Sequence, residues 1–434
     1  MDSIIGRKTS PHPQISDIMR KEGHLRRGYF AFSIKDTLDD TIRDLDSWQR
    51  NLLDPSWYQL VLVPGKRVSQ LASQRVSDRQ DPTNVLSSLR NFANVDDVDP
   101  GCVDNALLPN DCVELLAAQI EFSESKLGIH KPSGTLVVMD TVHMPAQPDT
   151  KRATEEVLIL LRRLSSVDVE TFGFLHCRGA LQNAQSFDFI FSFPKDFDDP
   201  TSLRRLLINA DVTYPLNARV NLGQMLARSV AFLHTCHLVH KNVRPENIIC
   251  FSTPGKYPDH PYLVGLERFR FIDAYSLRVS DDLWQRNIYR HPSRQGTRPE
   301  RDYLMQHDIY SLGVCLLEIG LWKSFVTYNE DTDSISANED FILPMHLAIK
   351  DPRRRAFQIK MNFTKLAQER LPGIMGQRYA GTVISCLTCL DPGNSDFGDE
   401  SAVEDSDGIL VGIRYIEKVR SKQLEVGACR IDPA

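Results

Sequence analysis

The chain has 434 residues, 41% of them hydrophobic and 25% charged, and its 51 basic and 57 acidic side chains leave a net charge of −6. This composition is globular and excludes a fully disordered chain, a collagen-like repeat and a disulfide-stapled miniature fold. The acidic balance argues against a general nucleic-acid binder, and the length points to two or three structural units. A membrane span needs about 18 apolar residues. The longest apolar stretch, Leu312 to Trp322, is interrupted by Glu318. The first residues, MDSIIGRKTSPHPQ, lack an apolar signal core, and the nine cysteines are irregularly spaced, so reduced thiols and a cytoplasmic setting are expected.

Residues 1–75 read as helical, because Leu38, Ile42, Leu45, Trp48 and Leu52 share one helical face until Asp54-Pro55-Ser56 stops it. Tyr58 to Val63 is a short β-like run, and 76–125 is expected to be a linker with short helices. From Gly134 the texture changes. Thr135 to Val142 is strand-like, and Glu155 to Leu164 is helical with Thr154 as its N-cap. Phe172 to His176 reads as a strand, as does Phe187 to Phe193, where phenylalanine recurs with a period of two. Ser202 opens a short helix, and Asn217 to His234 is a long one that turns Leu222, Leu226, Val230 and Leu233 inward. After Ile309 the pattern is helical apart from acidic loops, and Asp391 to Asp407 carries seven acidic residues and no basic one.

The segment His240-Lys241-Asn242-Val243-Arg244-Pro245-Glu246-Asn247-Ile248-Ile249 resembles the catalytic loop of eukaryotic protein kinases. Tyr289 to Ser293 is similar to the kinase segment ending in A-P-E, and His307 to Val314 to the kinase D-x-x-S-x-G helix. The resemblance covers roughly residues 130–420. It implies an α+β, two-lobed protein-kinase-like fold with a helical N-terminal extension, an N-lobe over 126–195 and a C-lobe over 196–425. More narrowly, phrases such as VHKNVRPENI and HDIYSLGVCLLEIGLW resemble the kinase-like region of fungal proteins that carry an N-terminal prion-inhibition (HeLo-type) helical domain. Ser33 to Leu62 resembles the end of that domain, which implies a shortened chain or an incomplete gene model.

Phosphoryl transfer needs positioning and neutralisation of phosphate charge, and the resemblance places several residues where that chemistry is made. Asn242 stands at the proton-accepting aspartate, and an amide takes no proton at neutral pH. Gly265 stands at the D-F-G aspartate that would hold magnesium. Asn247, the second metal-ligand position, is retained, and Glu267 is a stand-in carboxylate, so these two are the candidate metal ligands. Aligning Val137-Val138-Met139-Asp140 on the kinase strand places Asp140 at the phosphate-gripping lysine, where a carboxylate repels phosphate. The cofactor-binding positions are therefore Gly265, Glu267 and Asp140. Glu155 or Glu156 matches the helix-C glutamate, and no glycine-rich loop is evident, since Gly128 and Gly134 do not spell one. Arg244 stands at the kinase lysine, either to hold a phosphate or to bond the loop backbone. His240 and Asp308 are the architectural anchors, with Asp308 expected to accept backbone N–H groups of the loop. The His234, Cys236, His237, His240 cluster and the Cys386, Cys389 pair are better explained as structural than as metal sites.

The favoured reading is a catalytically impaired kinase-like regulatory or scaffolding protein. It requires no cofactor, works through other proteins, and self-associates through its N-terminal helices. One alternative is an active atypical kinase using ATP and magnesium with Glu267 or Glu246 as substitute carboxylates. Another is a self-assembling or membrane-active effector of the HeLo type.

Overall fold

The computed structural model describes residues 107–143, 150–165, 173–194, 197, 200–209, 214–235, 238–253, 257–258, 260–266, 270–271, 283–295, 303–329, 334–394 and 397, all within one compact unit, Asn84–Ala434. The helical reading of 1–75, the HeLo-like Ser33 to Leu62 segment, Cys236, His237 and Glu267 lie outside the described residues.

The first lobe is an antiparallel sheet of β1 (Val113–Gln119), β2 (Lys126–His130), β3 (Thr135–His143), β4 (Cys177–Gln182) and β5 (Ser186–Ser192), in the order β1-β2-β3-β5-β4. The centre of β3 is buried on both faces, with Val137, Val138 and Met139 all at 5% exposure or less, which is why its sequence is a continuous β-branched and apolar run rather than an alternation. Phe187, Phe189 and Phe191 of β5 face one core, and Phe189 lies opposite Asp140 in the register. Helix α1 (Thr150–Ser165) joins the same core through Val157, Leu160, Leu161 and Leu164, a helical stripe. Thr154, expected to cap this helix, lies inside it.

Two further expectations change here. Val113–Gln119, placed by its sequence in a helical linker, is the edge strand β1. Phe174 to His176 is not strand. The pairing begins at Cys177, because Gly173 adopts φ +66 and an added Cβ there would lie 2.1 Å from Ser229 Oγ. A φ of this sign is outside the extended region and is open to glycine at no steric cost.

The second lobe is mainly helical. Ser202 caps α2 (Leu203–Ile208) by accepting the Arg205 N–H at 3.1 Å, and α3 (Leu216–Thr235) follows. Short strands frame the loops: β6 (Thr201–Ser202), β8 (Ile248–Phe251) and β9 (His260–Leu263) form one sheet, and β7 (Leu238–Val239) pairs with β10 (Arg270–Phe271). After α4 (Trp284–Asn287), helix α5 (Met305–Leu321) runs through the middle, buried along Met305 to Gly320. An antiparallel hairpin, β11 (Val326–Asn329) and β12 (Ser334–Ala337), interrupts what the sequence reading left as helix. Its first strand is β-branched and aromatic, and its second alternates serine with Ile335 and Ala337. The chain continues through α6 (Pro344–Leu347), α7 (Pro352–Met375) and α8 (Gln377–Leu387). This sheet lobe and helical lobe are compatible with a two-lobed, kinase-like fold.

Candidate functional site

The loop from His240 to Asn247 is held from below by α5. Asp308, fully buried, accepts the backbone N–H of His240 at 2.7 Å on Oδ2 and of Lys241 at 2.9 Å on Oδ1. Tyr303 donates its hydroxyl to Oδ1 at 2.7 Å, and His234 Nε2 lies 3.3 Å from Oδ2. Burial alone would raise the Asp308 carboxyl, but these donors and the neighbouring His240 outweigh it and hold the carboxyl below its ordinary range. His240 is fully buried, and that burial pushes its imidazole down to about 4, so it is neutral at pH 7.

Above this anchor lie the positions where kinase chemistry would be made. The Asn242 carboxamide oxygen accepts Arg244 Nε at 3.0 Å, and Asn247 donates its amide to the Asn242 carbonyl at 2.8 Å. Gly265 follows β9 with φ +82, and a Cβ there would sit 2.4 Å from Asn247 Cγ. A side chain at Gly265 therefore collides with the retained asparagine, whatever its charge. Asp140, 4% exposed on β3, accepts the backbone N–H groups of Gly265 at 3.0 Å and Leu266 at 2.8 Å on its Oδ2. Of the residues read from the sequence as cofactor positions, Asp140 thus bonds the backbone at Gly265. Glu155 falls on α1.

A second set of charges lies beneath the loop. Arg204 of α2 has no exposure at all, with Nε 3.1 Å from Glu246 Oε1 and Nη1 3.0 Å from Glu318 Oε1. Ser324 Oγ accepts Nη1 at 2.7 Å, and the Tyr289 hydroxyl accepts from Nη2 while donating to Glu318 Oε2 at 2.8 Å. Burial works to raise both carboxyls. At Glu246 the guanidinium groups of Arg204 and Arg244 overcome it and hold the carboxyl low, whereas at Glu318 burial prevails and the carboxyl stays raised. Arg204, Glu318 and Tyr289 escaped the sequence reading. Leu203-Arg204-Arg205-Leu206-Leu207 looks like any short basic helix, and the partners of Arg204 lie 42 and 114 residues away.

Arg244 also reaches the sheet lobe. Its Nη2 lies 3.2 Å from Glu124 Oε1, and its Nη1 is 3.6 Å from Glu246 Oε2. Its guanidinium is thus matched by two carboxylates of the chain itself. A nucleotide triphosphate with magnesium needs cations for its phosphates and one or two carboxylates for the metal. Asp140 and Glu124 offer charge of the wrong sign to the phosphates, and Gly265 and Asn242 offer no carboxylate to a metal, so the described residues do not fit that ligand pair. Among them, no group of three or more histidine, cysteine, aspartate or glutamate residues could hold a metal ion. Cys386 and Cys389 are buried and unoxidised, and the Cys389 thiol donates to the Gln306 carbonyl at 3.1 Å.

No family model matches the chain. Over 150 residues it is 27% identical to the dual specificity protein kinase lkh1 of Schizosaccharomyces pombe, which covers 31% of this chain and 21% of that protein. It is 24% identical over 163 residues to the serine/threonine-protein kinase AFC1 of Arabidopsis thaliana, covering 34% of this chain and 35% of the relative. It is 23% identical over 216 residues to the dual specificity protein kinase FUZ7 of Mycosarcoma maydis, covering 49% and 44%. The chain thus spans less than half the length of each of these relatives. The likeness supports a kinase-like protein. Among the described residues, no helix is long and apolar enough to cross a membrane.

Proposed function

We propose that the chain is a catalytically impaired kinase-like protein that acts in signalling as a regulatory or scaffolding module, binding other proteins rather than transferring phosphate. One observation carries this reading: the Asp140 carboxylate accepts the N–H groups of Gly265 and Leu266. A carboxylate used in this way fixes the cleft around the missing groups, so the losses at Asn242 and Gly265 belong to a built structure rather than to a damaged active site. Loss of general-base chemistry alone typically costs about 10²–10⁴-fold in rate.

The test is phosphate transfer from labelled ATP, with magnesium or manganese, to a peptide library, run beside an Asn247→Ala variant. The expected result is no transfer above that of the variant. Robust transfer that Asn247→Ala abolishes would return the chain to the active kinases.

A further inference from the structure

The turn between β1 and β2 runs from Ile120 to Ser125. It reaches onto the helical lobe through five contacts. Glu124 Oε1 lies 2.5 Å from Arg286 Nη2 of α4 and 3.2 Å from Arg244 Nη2, so one carboxylate bridges two guanidinium groups of different segments. Glu121 Oε2 lies 2.8 Å from Arg205 Nε of α2, and the Glu121 carbonyl accepts the Ser202 hydroxyl. The Phe122 ring rests on Tyr328 of β11, with centroids 4.4 Å apart. Tyr328 in turn donates its hydroxyl to Glu246 at 3.2 Å, which ties the contact to the buried charge network.

Two details show that the turn is shaped for this placement. Phe122 has φ 59, in the left-handed region that a bulky side chain rarely occupies. This conformation persists only where surroundings over-determine it, and the Tyr328 contact and the flanking ion pairs do so. The turn is also closed on itself, with Ser123 N–H donating to the Ile120 carbonyl at 3.0 Å and Ser125 N–H to the Ser123 hydroxyl at 3.3 Å.

The geometry points to a latch: the β1–β2 turn acts as a ligand supplied by the chain itself, its two carboxylates pairing with Arg205, Arg244 and Arg286 and holding the cleft closed against phosphate-bearing molecules. The inference deepens the reading of the cleft as catalytically impaired and rests on it for the claim that no nucleotide competes for the turn. Its control is electrostatic. Glu124 and Glu121 are solvent-exposed in part, with side chains 51% and 58% exposed, so their pairs are screened by salt while the aromatic contact is not. A partner or modification that neutralises the two carboxylates would release the turn.

The test is amide hydrogen exchange of the full chain, comparing the Glu121→Gln/Glu124→Gln double variant and Arg286→Ala with the unaltered protein. The double variant is expected to exchange the amides of residues 121–126 at least about tenfold faster, with α5 unchanged. A response of the double variant alone is sufficient, because Arg244 remains in Arg286→Ala. Exchange within twofold of the unaltered protein in both variants overturns the latch. The two failures are distinguishable: a chain that phosphorylates peptides overturns the functional reading and, with it, the claim that the turn excludes phosphate-bearing molecules, even where the turn is protected. A chain that transfers nothing while its turn is unprotected, or unresponsive to both variants, overturns the latch and leaves the functional reading.

Discussion

Asp308 beneath the loop and Asp140 in the cleft perform the same local chemistry. Each is a buried carboxylate that accepts two successive backbone N–H groups, those of His240 and Lys241 in one case and of Gly265 and Leu266 in the other. The kinase resemblance matches Asp308 to an aspartate and Asp140 to a lysine. In the lower region the Asp308 carboxylate holds the loop at His240 and Lys241. In the upper region the Asp140 carboxylate holds the turn at Gly265 and Leu266. The architecture of a catalytic loop is thus separable from its chemistry: the scaffold under the loop depends on paired N–H groups and burial, neither of which needs a nucleotide.

The largest effect that sharpens this comparison is expected at the lower anchor. Asp308→Ala leaves two buried N–H groups, Tyr303 and His234 without their acceptor, and should cost about 3–5 kcal/mol in urea unfolding. Next is pH. The imidazole of His240 titrates at about 4 in the folded chain and near its ordinary 6.5 when unfolded, so between those values only the unfolded state takes up the proton. Stability is full above pH 6.5 and falls as pH drops toward 4, by roughly 3 kcal/mol for a depression of this size. His240→Leu should flatten that slope in chemical denaturation at pH 7, 6 and 5. Asp308, whose carboxyl is held low, adds its own loss only at still lower pH.

At the upper aspartate the cost should be smaller. Asp140→Leu removes the acceptor from two N–H groups and is expected to destabilise by about 2 kcal/mol, since a single unsatisfied buried donor costs about 1–3. An equal loss at both aspartates would break the distinction between anchor and cap. Gly265→Ala should cost about 1–2 kcal/mol from its left-handed backbone and its collision with Asn247. Gly265→Asp should restore no phosphate transfer, which an assay beside the unaltered chain would check. The smallest effect is at the lobe contact: Glu124→Gln should change global stability by less than about 1 kcal/mol, and less still at high salt.

Much of the framework is visible in the residues themselves. The period-two phenylalanines of β5, the inward stripe of α3 and the apolar run of α5 each carry a strong pattern. The kinase resemblance led to the expectation that Asp308 accepts backbone N–H groups of the loop, as it does at His240 and Lys241. The β1 strand was hidden because Val113–Gln119, VELLAAQ, is an edge strand with no buried residue and no alternation to betray it. Missing β1 also hid the β1–β2 turn, and with it Glu121 and Glu124. The β11–β12 hairpin was obscured by short strands beside acidic loops. Arg204 was illegible for a different reason, since its burial depends on carboxylates far along the chain. The kinase resemblance aligned Asp140 with the lysine as an expectation, and nothing in the sequence indicated that its carboxylate would bind the turn at Gly265.

The account's central claim is that the cleft is completed by the chain's own carboxylates and so has no place for a nucleotide and its metal. Thermal unfolding with ATP plus magnesium, and with ATP plus EDTA, tests it directly. A ligand at 100 times its dissociation constant would stabilise the fold by about 2.7 kcal/mol and raise the midpoint by a few degrees. The account predicts no shift in either condition. A shift that appears only with magnesium would contradict it, because a metal site would then have survived.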